Sequence, residues 1–311
     1  MNGVLIVDKA SGLTSHDVVN RVRRILQEPS VGHLGTLDPL ATGVLPLVTG
    51  NLTRLAQFYT ASEKIYEGTI RFGFATDTYD SDGETSGSVQ QVKVTLEQMR
   101  ALATHFVGMI NQMPPPFSAK KIKGVPAYKL ARKRQEVPLR AIRVEIKEFE
   151  ILGVEGDRAS FHARVASGTY MRSVAHDMGQ QIGCGAHLAS LRRTVLGEFS
   201  LNQAHTLDEL VSAAVRNGQT ADLAAMFIHP RQLLPQFPCV TAGEEIVAQI
   251  RSGRTVNLPD LSPAKQVKVF AGQRELIAIA TRIAGTLFHP RIVLAAASNA
   301  SPVQAEHRMR E

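Results

Sequence analysis

Residues 31–47 read VGHLGTLDPLATGVLPL. Glycines and two prolines interrupt runs of Val and Leu here, and charged residues are few, so the composition predicts β-strand broken by tight turns. Asp38 stands between Leu37 and Pro39 in this apolar surrounding, where a carboxylate is poorly solvated. It is either a turn residue that accepts backbone N–H groups ahead of the proline, or a carboxylate placed in a pocket as a nucleophile or base.

The segments on either side of this stretch follow strand and helix patterns. A short apolar run predicts a buried strand at Gly3–Val7, and residues 65–74 alternate apolar and polar side chains as a half-buried strand does. The other expected elements are a helix capped by Ser15, a helical stretch at Leu52–Tyr59, helices opened by capping boxes at Thr95 and Thr206, paired strands at 142–154 and 158–166, and a helix at Met171–Ile182. Together they predict a large α+β domain over residues 1–235.

A second, smaller module follows a change in composition near Pro235–Pro238. The short strands VKVFA, ELIAIATRI and IVLAA, with a helix capped by Thr241, predict a mostly β domain over residues 236–298. A domain of that size can just fold alone. The tail, residues 299–311, lacks an apolar pattern, and we expect it to fray.

Composition excludes several classes of protein. A hydrophobic fraction of 44% and a charged fraction of 20% are typical of a globular chain and not of a disordered one. No run of about 18–20 apolar residues exists to span a membrane, and the first apolar run is too short for a signal peptide. Two cysteines make neither a disulfide framework nor a zinc site, and the phosphate-loop, dinucleotide and HExxH motifs are missing. We expect a cytoplasmic protein without metal or cofactor, whose chemistry uses side chains alone.

Positive charge is concentrated in one segment, residues 119–147. The segment holds ten Lys and Arg against two Glu, a charge of +8, whereas the whole chain carries +7. Such a stripe is either a solvated helix face or the electrostatic footprint of a polyanion. Its concentration in one tenth of the chain favours the polyanion.

Five blocks of the sequence resemble the bacterial TruB-type tRNA pseudouridine synthases, in the order and spacing of that family. The blocks are VDKASGLTSHDVV with VGHLGTLDPLATGVLPL, then KIYEGTIRFGFATDTYDSDGE, PPFSAKKIKGVPAYKLAR, SGTYMRSVAHDMG and GCGAHLASLRR. The resemblance implies a mixed, mostly antiparallel sheet flanked by helices, the pseudouridine synthase fold. It also implies that the C-terminal β module is an RNA-binding domain of PUA type.

The same resemblance implies an activity and its residues. The expected isomerase flips out the uridine at position 55, in the T loop of tRNA, detaches the uracil and rejoins it through C5, with no cofactor and no metal. Asp38 matches the essential aspartate. The expected substrate-binding residues are Tyr66, which stacks on the uracil; Arg172, which pairs with the aspartate; His33, which fills the space of the extruded base; Leu191, which lines the base pocket; and Tyr170 and Lys9. The basic segment matches an RNA-clamping insertion at about residues 115–147, with phosphate contacts from Lys120, Lys121, Lys123, Lys129 and Arg132.

Each of these residues also has an ordinary structural interpretation. The two tyrosines could fill a core, Arg172 could bind a surface carboxylate, and His33 could be a hydrogen-bonded loop histidine. Two alternatives to a stand-alone enzyme also stay open: a catalytic subunit that needs guide RNA and partner proteins, and a tRNA-binding chaperone without catalysis. The aspartate with its tyrosines and arginine argues against the chaperone. The basic segment favours binding of the T-arm stem-loop without an obligate protein partner, and nothing in the sequence requires more than a monomer.

Overall fold

The computed structural model describes residues 2–118, 121–122, 124–126, 138–215, 220–259 and 264–294. The chain divides into two compact units, with the boundary between Ile228 and His229, ahead of the predicted linker at Pro235–Pro238. None of the helices in the described residues combines the length and the apolar character that crossing a bilayer requires. The tail at residues 299–311 lies outside the described residues.

The described strands and helices are numbered in chain order. The strands are β1 Gly3–Lys9, β2 Val31–His33, β3 Thr42–Thr49, β4 Lys64–Phe72, β5 Ala75–Thr76, β6 Thr85–Ser86, β7 Gly108–Gln112, β8 Lys121–Ile122, β9 Val125–Pro126, β10 Ile142–Glu155, β11 Arg158–Val165, β12 Ala186–Leu196, β13 Phe199–Ser200, β14 Ala204–His205, β15 Phe227–Ile228, β16 Cys239–Ala242, β17 Val256–Asn257, β18 Gln266–Ala271, β19 Glu275–Ala284 and β20 Leu287–Val293. The helices are α1 Ser15–Leu26, α2 Leu96–Thr104, α3 Met171–Ile182, α4 Leu207–Val215, α5 Thr220–Ala225 and α6 Glu244–Arg251, with 3₁₀ helices at Gly50–Phe58, Leu201–Gln203 and Pro230–Gln232.

In the first unit, eleven of the described strands form one sheet. The order is β14-β1-β3-β12-β4-β11-β10-β7, with β2 beside β3, β13 beside β12 and β15 beside β1. Only the β1–β14 and β3–β12 pairs of these described strands are parallel. Helices α1 to α4 bury apolar side chains in the core of this sheet. The predicted α+β fold with a mixed, mostly antiparallel sheet is confirmed.

The stretch at residues 31–47 forms two strands of this sheet and the loop between them. β2 and β3 are antiparallel, with His33 opposite Leu47. β3 is buried from Gly43 to its end and lies between β1 and β12. The loop of residues 34–41, which contains Asp38, therefore enters a strand at the middle of the sheet, where neighbouring strands can support it.

Side-chain caps explain several helix starts. The predicted capping boxes at Thr95 and Thr206 are present. The prediction that Ser15 caps α1 is wrong by one residue: Thr14 is the cap, and its hydroxyl accepts the N–H of Asp17 at 3.1 Å. The hydroxyl of Ser15 is instead bound to the backbone of the loop at residues 34–41. The pattern over Leu52–Tyr59 forms a 3₁₀ helix and not an α-helix.

The second unit is built on a five-stranded sheet, in the order β16-β18-β19-β20-β17. Buried side chains of these strands and of α6 make its core. The β-rich C-terminal domain is confirmed, whereas its PUA type stays a prediction. The prediction that Thr241 caps α6 is wrong, because Thr241 lies in β16, where its hydroxyl accepts a hydrogen bond from Arg231 at 2.8 Å. Gly243 is the cap, without a side-chain hydrogen bond.

Candidate active site

A cavity of about 460 Å³ opens beside the loop of residues 34–41. Its walls come from this loop, from β4 and β12, and from residues 167–172 at the start of α3. Pockets for small ligands typically measure about 300–1,000 Å³. Six of the seven residues expected at the catalytic and base-binding site line it: His33, Asp38, Tyr66, Tyr170, Arg172 and Leu191.

Helix α1 anchors the loop through Ser15, which is buried at the first turn. The Ser15 hydroxyl accepts the N–H of Leu37 at 2.8 Å and donates to the Leu37 carbonyl at 3.0 Å. The N–H of Ala41 donates to the carbonyl of Asp38 at 3.1 Å and closes a tight turn. In the described residues no backbone N–H donates to the Asp38 carboxylate, so this geometry does not support the simple turn interpretation.

Lys9 lies behind the loop and outside the cavity. Its ammonium is buried and donates to the carbonyls of Ala10, Leu13 and Pro39 at 2.9, 2.6 and 3.1 Å. Burial lowers the pKa of Lys9 to about 8, against the opposing effect of the negative charge on Asp38. With all three N–H groups engaged, Lys9 is placed to position the loop and not to touch a ligand.

Arg193, which was not predicted from the sequence, supports the same loop from β12. Its side chain is fully buried and donates to the carbonyls of Gly35, Thr36 and Val44 at 2.9, 3.1 and 2.8 Å. Burial lowers the pKa of Arg193, and a hydrogen bond with Tyr66 opposes that change. These carbonyls lie 149 to 158 residues away along the chain. The sequence signal for Arg193 is its place at the end of the block GCGAHLASLRR.

Arg172, the second residue of α3, brings four oxygens together around one buried guanidinium. Its Nε lies 2.9 Å from Oδ2 of Asp38, an ion pair without an aligned hydrogen bond. One terminal nitrogen lies 3.3 Å from Oδ2 of Asp80 and donates to the carbonyl of Thr78 at 3.1 Å. The other donates to the carbonyl of Phe117 at 3.0 Å. The arginine side chain is 5% exposed and that of Asp38 is 37% exposed, so a fixed cation holds a carboxylate that a ligand can reach.

Asp80 is a second carboxylate of the site, and it was not predicted from the sequence. It is buried and accepts hydrogen bonds from the Thr78 hydroxyl at 2.6 Å and the Asp82 N–H at 3.2 Å. Burial raises the pKa of Asp80, and the hydrogen bond from Thr78 and the charge on Arg172 oppose the rise. The same polar loop contains three aspartates, Asp77, Asp80 and Asp82. The local sequence pattern therefore could not predict which of them contacts Arg172.

The two predicted tyrosines line the cavity from different elements. Tyr66 projects from β4, and burial raises the pKa of its hydroxyl while Arg193 opposes the rise. Tyr170 precedes α3, and its backbone is held on both sides by the amide of Gln112, at 2.8 and 3.0 Å. Burial raises the pKa of Tyr170 as well. Both phenols are therefore neutral at pH 7, and both residues line the cavity.

His33 and Leu191 complete the predicted set. His33 ends β2, and burial together with the positive charge on Arg193 lowers its pKa, so its imidazole is neutral at pH 7. Leu191 lies in β12, opposite Gly68 of β4. A neutral ring and an aliphatic side chain add a mostly uncharged wall to the cavity.

The cavity suits a planar, polar ligand. A reachable carboxylate beside a buried guanidinium can act as a nucleophile or as a base, and two phenol rings can stack on a flat ring. The described residues contain no group of three or more His, Cys, Asp or Glu side chains that could hold a metal ion. The predicted phosphate contacts at Lys120, Lys123, Lys129 and Arg132 lie outside the described residues, and only the backbone of Lys121 is described.

Comparison with protein families assigns the chain to a class. Residues 23–171 match the model described as TruB family pseudouridylate synthase, N terminal domain, and residues 172–233 match the tRNA pseudouridylate synthase B C-terminal domain. The chain belongs to the TruB family. It is accordingly a pseudouridine synthase, an isomerase, and the family resemblance of the five blocks is confirmed.

Curated relatives and solved structures agree with this assignment. A tRNA pseudouridine synthase B from Solibacter usitatus is 48% identical over 297 residues, which cover 94% of this chain and all of that protein. Another from Geobacter sulfurreducens is 35% identical over 292 residues, 92% of this chain and 95% of the relative. A structure of the archaeal box H/ACA sRNP Nop10–Cbf5 complex matches with a TM-score of 0.69 and 25% identity, over 94% of this chain and 86% of the matched chain.

Proposed function

We propose that this TruB-family enzyme converts uridine to pseudouridine in tRNA, at position 55 of the T loop. The relatives named tRNA pseudouridine synthase B support tRNA as the substrate. The observation that carries the proposal is the ion pair between Asp38 and Arg172, at 2.9 Å, in the wall of a cavity that Tyr66 also lines.

The target base must leave the RNA stack before it can reach Asp38. Unstacking costs on the order of a few kcal/mol, and stacking on an aromatic side chain returns about 1–3 kcal/mol per base. Tyr66 presents a ring to the cavity for this purpose, and Leu191 contacts the base from β12. The neutral His33 takes the space that the base leaves in the RNA loop.

The reaction exchanges one bond for another without oxidation or reduction. The bond between C1′ and N1 breaks, a bond between C1′ and C5 forms, C5 loses a proton and N1 gains one. Asp38 acts as the nucleophile or the base in these steps. Arg172 stays fixed by Asp80 and two backbone carbonyls, so it keeps the Asp38 carboxylate directed at the reacting nucleoside.

The enzyme acts in this proposal as a cytoplasmic monomer on the T-arm stem-loop, without a protein partner. The matched Cbf5 structure is a complex with Nop10, so dependence on a partner is the alternative to test. The charge of the segment at residues 119–147 supports independent binding, because it supplies phosphate contacts within the chain itself.

The test is an assay of the purified protein on an unmodified T-arm stem-loop, with pseudouridine located by chemical mapping. We expect complete conversion at the T-loop uridine with no other component, and the same rate in the presence of a chelator. Conversion only after addition of guide RNA and partner proteins would identify a dependent subunit. Tight binding without any product would identify a chaperone.

A further inference from the structure

Lys64 is a second cation in the wall of the active-site cavity. It is the first residue of β4 and precedes Tyr66 by two positions, so the alternation of a strand places both side chains on the same face. Their Cα atoms are about 6.6 Å apart, and both residues line the cavity. A nucleotide whose base stacks on Tyr66 therefore has its own backbone near Lys64.

The ammonium of Lys64 has N–H donors that the described residues do not use. Its Nζ donates to the carbonyl of Ser62 at 2.9 Å, whereas an ammonium carries three N–H donors. The described part of the chain supplies neither a second acceptor nor a carboxylate partner for Lys64. Burial and the positive charge on Arg193 lower the pKa of Lys64 to about 8, so the group is still mostly charged at pH 7.

Two other lysines of this unit show how an ammonium with a structural role is satisfied. Lys9 donates to three carbonyls, and Lys147 pairs with the carboxylate of Glu63. Lys64 has neither arrangement, although it is half-buried. A partly desolvated cation with one carbonyl acceptor and no anionic partner among the described residues costs free energy, which an anionic ligand would recover.

We propose that Lys64 binds a phosphate of the RNA backbone next to the flipped uridine, in a subsite separate from the base-stacking position at Tyr66. The inference rests on the proposed function, because it takes the occupant of the cavity to be a nucleotide within an RNA chain. The phosphodiester is the anion that every such nucleotide carries. Asp38 and Asp80 are both engaged by Arg172, so the anion for Lys64 has to come with the ligand.

This contact holds the nucleotide at a second point, the phosphate on Lys64, in addition to the base on Tyr66. The phosphate does not change during the isomerisation, so the contact is equally strong before and during the chemical step. Lys64 should therefore lower the Kd and KM for RNA and leave the rate constant of the bound complex almost unchanged. It is a substrate-binding residue and not a catalytic one.

The experiment combines protein and RNA changes. T-arm stem-loops are synthesised with one uncharged methylphosphonate at each backbone position around the target uridine. Binding and single-turnover conversion are measured with the wild type, Lys64→Met, Lys64→Arg and the control Lys93→Met. Lys93 is exposed and does not line this cavity, so its substitution removes the same charge elsewhere on the unit.

We expect Lys64→Met to bind the unmodified stem-loop about 10-fold more weakly, as removal of a charge-assisted hydrogen bond implies, and Lys64→Arg to recover most of that affinity. The rate of the saturated complex should stay within about two-fold of the wild type. One methylphosphonate next to the target should abolish the difference between Lys64→Met and the wild type. The effect of Lys93→Met should add to that of every methylphosphonate.

Wild-type affinity in Lys64→Met, or additive losses at every phosphate, would overturn the inference. Thermal unfolding checks that Lys64→Met is folded, and Lys64→Gln provides a second neutral variant that keeps a polar end group. Failure of the proposed function would look different, because the wild type itself would then form no pseudouridine at the T-loop uridine.

Discussion

The position of Asp38 is set by side chains that are distant from it in the sequence. Ser15 holds the backbone of Leu37, Lys9 holds the carbonyl of Pro39, and Arg193 holds the start of the loop. Arg172 then contacts the carboxylate itself. Four separate elements therefore position one side chain that is still partly open to the cavity.

Asp38→Asn tests the role of this carboxylate. Asparagine keeps the size of the side chain but cannot act as a nucleophile or base, and Arg172 keeps its contact with Asp80. We expect pseudouridine formation to be abolished while the affinity for tRNA stays within about three-fold of the wild type, since RNA affinity comes mainly from phosphate contacts. Equal loss of activity and affinity would identify a structural aspartate. Asp82→Asn, at an exposed carboxylate outside the cavity lining, is the matched control.

At the scale of elements, the site depends on the parallel contact between β3 and β12. Gly43 lies opposite Arg193 in this pairing and has a φ of +98°. A methyl group at Gly43 would overlap the carbonyl oxygen of Arg193. The absence of a side chain at Gly43 therefore lets Arg193 enter beneath the loop that carries Asp38.

Gly43→Ala should destabilise the protein through both backbone strain and overlap, by about 2–5 kcal/mol. Gly12→Ala is the matched control, because Gly12 also has a positive φ, +82°, but a methyl group there would meet no atom within 4 Å. We expect that variant to lose only about 1–2 kcal/mol. Chemical denaturation measures both, and equal losses would contradict the close approach to Arg193.

Helix α3 carries Arg172 at its start and the poorly solvated carboxyl of Asp177 five residues later. Burial raises the pKa of Asp177 to about 6, from an ordinary value of 3.8. Between these pH values the unfolded chain loses its proton before the folded chain does. The contribution of Asp177 to the free energy of unfolding should therefore fall as the pH rises from about 4 to 6, and it stays lower above that range.

Asp177→Asn should remove this penalty. We expect the variant to be more stable than the wild type by about 1–3 kcal/mol at pH 7.5, and the difference to shrink towards zero near pH 4. Denaturant unfolding at both pH values measures the effect. A gain of equal size at both pH values would show that the carboxyl does not titrate as described.

At the scale of the whole molecule, the charge distribution indicates that RNA binding and the isomerisation depend on different parts of the chain. The segment at residues 119–147 holds the surplus positive charge, while the remainder of the chain is almost neutral. At the site, in contrast, Arg172 is balanced by two carboxylates and two carbonyls, and Arg193 by three carbonyls. We therefore expect most of the salt-dependent affinity to come from the basic segment and the reaction to depend on the cavity.

Neutralising Lys120, Lys121 and Lys123 together should weaken tRNA binding and reduce the slope of log affinity against log salt by roughly 0.7–0.9 for each phosphate that is no longer bound. Replacing the same three residues by arginine keeps the charge and should keep the slope. The slopes of the neutral variant, the arginine variant and the wild type are compared by measuring affinity between about 50 and about 200 mM salt, where counterion release changes affinity strongly. An unchanged slope in the neutral variant would place the RNA on another surface.

The amino-acid sequence by itself determined the fold class, the family and the set of side chains expected at the site. Helical and strand periodicity act within a few residues, so the helix at Met171–Ile182 and the paired strands at Ile142–Glu155 and Arg158–Val165 could be predicted almost to the residue. The neighbours of Asp38 in the sequence left two interpretations open, a turn residue or a catalytic carboxylate. The resemblance to the family motifs is what favoured the catalytic role.

Only the tertiary structure decided which other groups belong to the candidate site. In the sequence, nothing distinguishes Asp80 from its neighbouring aspartates. Folding places it beside Arg172, which is 92 positions away along the chain. Arg193 and Lys64 resemble ordinary strand cations, and the difference between them is the number of carbonyls that folding places around each. Hydrogen-bond partners supplied by distant segments leave no local pattern, because the sequence near a side chain does not record what will pack against it.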